Sequence, residues 1–107
     1  MKLAILNTSI ATADGNYALR TITLDEAQFL VNEADGLDSA VGHAATAEIL
    51  TRLLGVDIPV NRQQFAQQVG QKALVFKLSG RIPEGTILSL EEIENLGYEL
   101  KVLERTV

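Results

Sequence analysis

The chain has 107 residues, of which 47% are hydrophobic and 21% charged, and its formal net charge is −5. This composition predicts one compact domain over 1–107, and the acidic balance argues against a broad surface for long nucleic acids. The absence of cysteine excludes disulfides and thiolate metal sites. No apolar run is long enough for a signal peptide or a membrane span, so we expect a cytoplasmic protein that makes no membrane contact.

The first half of the chain predicts a buried strand, a polar loop, a second strand and two helices, at 2–7, 8–16, 17–22, 23–34 and 38–55. Thr23 and Glu26 can form a capping box, in which each side chain bonds the other residue's backbone N–H. Asp38 or Ser39 can cap the second helix, and Gly55 ends it.

The second half predicts an irregular strand, an ambiguous glutamine-rich segment, a strand, a loop, a short helix and a last strand, at 56–60, 61–70, 73–79, 80–85, 89–97 and 98–105. Pro59 makes the first of these an edge or irregular strand. Ser89 and Glu92 form a second capping box. The order β-β-α-α-β-β-α-β predicts an α/β fold of the α+β type, with a mixed β-sheet of about five strands and flanking helices.

His43 is the only histidine, and it follows Gly42 at the start of the second predicted helix. One interpretation is structural: a partly buried histidine, hydrogen-bonded to backbone, on the apolar side of the helix. The other interpretation is a general acid. Gly42 leaves room for a ligand to approach the backbone, and a helix start favours an anion. A phosphate bound there would favour the imidazolium form.

Arg81 and Glu84 lie in the predicted loop that joins the clearest strand to a capped helix. They are either solvated side chains in a turn, or a guanidinium that grips a phosphate beside a carboxylate that orients it.

Four more residues are candidates for ligand contacts. Asn7 ends the first strand, where its amide could cap the loop or touch a ligand. Asn61 and Arg62 follow the irregular strand, and such residues are most often surface residues. Lys77 lies on the alternate face of its strand, where an exposed lysine is the ordinary case. None of the four is specific on its own.

Taken together, these residues have a characteristic order along the chain. The stretches that carry it are LAILN, VGHAATAEILTRLLG, VNR, RIPEGTILSLEEIE and GYEL. The whole chain resembles the ring nuclease family of viral anti-CRISPR proteins, which has relatives in mobile elements and CRISPR loci. The Gly-His helix start and the R-x-x-E-G stretch are the most specific parts of the resemblance.

The resemblance implies a homodimer that binds cyclic tetra-adenylate across its two-fold axis and cleaves it. This ring is the second messenger of type III CRISPR systems, so cleavage would switch off antiviral signalling in the prokaryotic cell or infected host. The family needs no metal and no cofactor. A ribose 2′-hydroxyl attacks the adjacent phosphorus and leaves a 2′,3′-cyclic phosphate end.

By the same resemblance His43 would protonate the leaving 5′-oxygen, Arg81 would neutralise charge on the phosphoryl oxygens, and Glu84 would orient Arg81 or the ligand. Asn7 and Arg62 would hold the ring.

We expect further ligand contacts from Gly42, Asn61 and Lys77. Relatives often carry lysine or glutamine where this chain has Gly80, which puts one ligand contact in doubt.

Two other functions remain open at this point. A binding module, or sponge, would capture a cyclic nucleotide without cutting it, and it would not need a protonatable His43. A structural or partner-binding protein of a mobile element would use the Gly-His helix start only to pack its core, and its thermal stability would not respond to a ligand.

Overall fold

The structure is a computed structural model, and it describes residues 1–8, 11, 13–80 and 89–107. Its strands and helices are, in chain order, β1 Leu3–Leu6, β2 Tyr17–Ile22, α1 Leu24–Glu33, β3 Leu37–Ser39, α2 Ala44–Leu54, β4 Lys72–Leu78, α3 Leu90–Leu96 and β5 Tyr98–Arg105. None of the helices in this part of the chain is long and apolar enough to cross a membrane.

The strands form one mixed sheet in the order β2-β5-β4-β1-β3. β1 is parallel to both of its neighbours, with Ala4 opposite Asp38 of β3 and Ala73 of β4. β5 is antiparallel to β4 and to β2. The prediction of a mixed sheet of about five strands in a single α+β domain is confirmed.

The helices pack against one face of this sheet. Alternation along β4 places Leu74 and Phe76 in the larger core cluster, together with buried residues of α1, α2 and α3. Ala73 and Val75 point to the opposite face and belong to a smaller cluster. The predicted alternation of this strand is therefore confirmed, and it explains why both of its faces are apolar.

The glutamine-rich segment 61–71 covers part of the opposite face without forming a helix or strand. Gln67 is 1% exposed, and its Nε2 donates to the backbone oxygens of Gln71 and Leu103, each at 2.8 Å. The Nε2 of Gln71 donates to the Lys2 oxygen at 3.1 Å. The two glutamine side chains thus hold this segment against the sheet by donating to backbone oxygens of Lys2, Gln71 and Leu103.

Two predicted boundaries are wrong. The second helix begins at Ala44 and not near Asp38 or Ser39, because 37–39 pairs with β1 as the edge strand β3. The segment 56–60 is not a strand. Its Ile58 is buried, and the backbone oxygen of Pro59 accepts a hydrogen bond from the Ser39 hydroxyl at 2.7 Å.

Of the two predicted capping boxes, the one at Ser89 is complete, whereas the one at Thr23 is only half formed. Ser89 and Glu92 make both reciprocal bonds at the start of α3, as predicted. At the start of α1 the Thr23 hydroxyl accepts from the Glu26 backbone N–H at 3.2 Å, while the Glu26 carboxylate pairs with Arg20 at 3.0 Å. The Arg20 hydrogen bond, with help from the Thr23 backbone, lowers the pKa of Glu26 against a smaller opposing effect of desolvation.

Candidate functional site at the carboxyl edge of the parallel strands

The carboxyl ends of β3, β1 and β4 lie at one edge of the sheet, because these strands are parallel. From β1 the chain crosses to β2 at the far edge of the sheet, returns through α1 to β3 on one side of β1, and then reaches β4 on the other side through α2. Open α/β sheets bind ligands outside the carboxyl ends of their parallel strands, which makes this edge the first place to look for a site. Asn7 follows β1, Gly42 and His43 follow β3, and Lys77 lies at the end of β4. The fold brings these four predicted residues to the same edge.

The helix α2 begins at this edge with an unusual N-terminus. His43 is its N-cap residue, with extended backbone, but its side chain makes no capping hydrogen bond. The first turn contains no acidic residue. The first-turn N–H groups and their partial positive charge are therefore not neutralised by a capping side chain, and they favour an anion.

His43 is exposed at this position. The interpretation of a partly buried histidine is therefore wrong: His43 precedes the first helical residue, Ala44, and its extended backbone is not part of the helix. An imidazole here can donate a proton to a bound group.

Arg62 lies against Gly42, directly before His43. The Arg62 Nε donates to the Gly42 oxygen at 2.9 Å. A Cβ at Gly42 would stand 3.1 Å from the Arg62 Cγ, so a side chain there would push the arginine away. The predicted ligand approach at Gly42 stays a prediction, and accommodating Arg62 is a second reason for glycine here.

A cavity of about 210 Å³ opens between the ends of β1 and β4. It is lined by Asn7, Thr46, Phe76, Lys77 and Leu78. It offers an amide, a hydroxyl and an ammonium group as possible ligand contacts. Sequence reasoning missed Thr46, although its place three residues after His43 puts it in the first turn of α2.

The Asn61 side chain is already bonded within the protein. Its Nδ2 donates to the Ser39 oxygen at 2.9 Å, and its backbone N–H donates to the Val41 oxygen at 2.8 Å. The prediction of a ligand contact from Asn61 stays a prediction, but the geometry gives its amide a structural partner.

The remaining predicted site residues, Arg81 and Glu84, lie outside the described residues. Gly80 is described, and a Cβ there would stand 2.6 Å from the Leu96 Cδ1. A side chain at position 80 would require Leu96 of α3 to shift, which is a packing reason for the departure from lysine or glutamine.

No cluster of three or more histidine, aspartate or glutamate side chains that could hold a metal ion occurs among the described residues. A larger cavity of about 340 Å³ lies near the amino ends of β1 and β4, between Lys2, Phe29 and Lys72. It is far from the predicted residues along the strands, so we do not assign it to the same site.

The fold and this edge define a small α+β protein with a mixed sheet and a candidate site at the carboxyl ends of its parallel strands. The chain belongs to the STIV B116-like family, whose model matches residues 3–100.

Viral and bacterial proteins are among its relatives. It is 38% identical to YddF of Bacillus subtilis over 98% of both chains. It is 40% identical to protein 26 of a Sulfolobus islandicus filamentous virus, over 79% of this chain and 72% of that one. It is also similar in fold to B116 of Sulfolobus turreted icosahedral virus, with a TM-score of 0.84 and 22% sequence identity. The match covers 98% of this chain and 100% of B116.

Proposed function

We propose that this protein is a metal-independent ring nuclease that binds and cleaves cyclic tetra-adenylate as a homodimer. The observation that carries the proposal is the exposed His43, the only histidine, at an uncapped helix start next to Arg62. A general acid beside an anion-binding helix start suits cleavage of a phosphodiester. A sponge would have no use for the protonatable group.

In the proposed reaction a ribose 2′-oxygen forms a bond to phosphorus and the bond from phosphorus to the 5′-oxygen breaks. The 2′-hydroxyl proton passes to water, and the His43 imidazolium gives its proton to the departing 5′-oxygen. The products are a 2′,3′-cyclic phosphate and a 5′-hydroxyl. Arg81 would neutralise charge that grows on the phosphoryl oxygens, with Glu84 orienting it, as the family resemblance implies.

Two groups of described residues support the proposal as possible ligand contacts. The first turn of α2 and the Arg62 guanidinium suit a phosphate. The cavity lined by Asn7, Thr46 and Lys77 suits the polar groups of a neighbouring nucleotide.

One histidine and two candidate arginines, Arg62 and Arg81, are too few to enclose a ring with four phosphates, so we propose that two chains share one ring across a two-fold axis. The net charge of −5 would at the same time disfavour long nucleic acids elsewhere on the surface.

The experiment is incubation of the purified protein with labelled cyclic tetra-adenylate in EDTA, with light scattering to give the mass in solution. We expect linear products with 2′,3′-cyclic phosphate ends, no effect of EDTA, and a dimer. Binding without products would make the protein a sponge. No thermal shift with the ring would favour a structural protein, and activity that EDTA abolishes and magnesium restores would overturn the metal-free mechanism.

A further inference from the structure

The connection between β3 and α2 carries His43, and residues from a later segment of the chain hold it in place. Residues 40–43 belong to neither helix nor strand. The His43 side chain makes no capping bond that would hold it in place. The position of the exposed imidazole is therefore set by the backbone that leads to it.

Residues 61–63, called the strap below, grip this connection. The two Asn61 bonds, to the oxygens of Val41 and Ser39, fix its first part. The Arg62 bond to the Gly42 oxygen fixes the peptide group directly before His43.

Gln63 completes the strap, because the two N–H groups of its side-chain amide donate two hydrogen bonds. Its Nε2 donates to the Ser39 oxygen at 2.7 Å and to the Asp38 Oδ1 at 2.9 Å. Ser39 ends the edge strand β3, so no further strand lies on its outer side. Its backbone oxygen instead accepts hydrogen bonds from the side-chain amides of Asn61 and Gln63. The bond to the Asp38 carboxylate is charge-assisted, which makes it the stronger kind.

We propose that Gln63 is a positioning residue for His43, acting through the strap on the peptide group between Gly42 and His43. This inference rests on the proposed function for its catalytic consequence. Gln63 adjoins Arg62, so loosening its two bonds releases the arginine that orients this peptide. Misplacing a reacting group by about 1 Å can lower a rate by about a hundredfold.

The first test is Gln63→Glu, which keeps the side-chain shape, removes both donors and sets a second carboxylate beside Asp38. The matched control is Gln64→Glu, which adds the same charge at an exposed neighbour for which the described residues show no hydrogen bond. We expect Gln63→Glu to lower the single-turnover cleavage rate by about tenfold to a hundredfold and to change ring affinity little. Adding Asp38→Asn to the same chain should restore part of the rate, since the amide introduced at position 38 can donate to the new carboxylate.

The second test uses ligand-free protein and is independent of cleavage. Because His43 is the only histidine, its imidazole Cε1–H signal is unambiguous in an NMR spectrum. We expect this signal to shift or broaden in Gln63→Glu and to stay as in the wild type in Gln64→Glu.

An unchanged His43 signal in folded Gln63→Glu would overturn the proposal, as would a rate loss that saturating ring fully recovers. If the wild type cleaves no ring, the proposed function fails, while the NMR comparison still decides whether the strap positions His43. If Gln63→Glu does not fold, Gln63→Ala takes its place in the same comparison, with the same deciding result.

Discussion

The start of α2 and the start of α3 differ in the features that normally stabilise a helix. α3 has a complete capping box from Ser89 and Glu92, and two acidic residues in its first turn. α2 has a histidine at the N-cap position, no capping bond and no acidic residue in its first turn. The first arrangement neutralises the helix dipole internally, whereas the second leaves its positive end available to an external anion. Natural proteins often break a rule of local stability where they bind a ligand, and the start of α2 fits that pattern.

The largest expected effect comes from giving α2 the capping side chain that it lacks, which tests whether the uncapped helix start serves the site. We expect His43→Ser to stabilise the protein by about 1 kcal/mol, since serine is a strong N-cap residue. It should also lower ring cleavage by about two to four orders of magnitude, because the general acid is lost. Chemical unfolding and single-turnover cleavage measure the two effects.

The control for that variant is His43→Ala, which removes the acid without adding a cap. It should lose cleavage equally while ring binding persists, and it should not gain stability. Near-normal cleavage by either variant would exclude His43 as the acid.

A second change gives α2 the acidic first turn that α1 and α3 already have. Ala45→Glu should weaken ring binding about tenfold, since a charge roughly 10 Å from a phosphate contributes about 1 to 2 kcal/mol at an effective dielectric of about 20. It should also stabilise the helix by about 0.3 to 1 kcal/mol. Titration calorimetry and thermal unfolding measure both effects. Equal affinity losses in Ala45→Glu and in Ala66→Glu, an exposed control outside the helices, would contradict a local effect of the helix start.

The reverse change removes the capping hydroxyl of Thr23 from α1, a helix that contributes no residue to the candidate site. Thr23→Ala should destabilise the protein by about 1 kcal/mol, because its hydroxyl accepts the Glu26 N–H. Cleavage measured well below the unfolding temperature should stay at the wild-type rate. A substantial loss of cleavage at full folding would mean that the start of α1 also contributes to the site.

The smallest expected effect concerns the same helix start at acid pH. The pKa of Glu26 is lowered, first of all by its hydrogen bond from Arg20. A carboxyl with a lowered pKa stabilises the fold above its ordinary value near 4.5 and loses that contribution as the pH falls through the lowered value. The melting temperature of the wild type should therefore exceed that of Glu26→Gln at pH 7 and converge with it below about pH 4. A difference that stays constant across this range would contradict the pairing.

The sequence predicted the elements whose signal is local. The alternating strands β2 and β5 begin and end at the predicted residues, and the Ser89 capping box starts α3 as expected. β3 was missed because its three residues have no periodic pattern and are ordered by pairing with β1. Burial of Ile58 in the core, and not strand pairing, explains the apolar character of 56–60.

The candidate site stays a prediction, and the sequence indicated only some of the residues that the fold brings together there. His43 stands out as the only histidine, whereas Arg62 became a candidate through its place in the order of residues, and the resemblance supplied the proposed roles of both. Thr46 and Gln63 were missed because their surroundings are created by the fold. Gln63 reaches Asp38 across 25 positions of the chain, a distance at which no sequence spacing signals a contact.

The place of β1 between β4 and β3 has a consequence for how the molecule folds. Ala4 pairs with Asp38 and with Ala73, so β1 can form its hydrogen bonds only after distant parts of the sequence have come together. Closing such long loops slows folding, and contacts made late affect unfolding more than refolding. We expect Ile5→Val in β1 to accelerate unfolding while leaving the refolding rate nearly unchanged in stopped-flow measurements. A matching decrease in the refolding rate would instead place β1 in the folding nucleus.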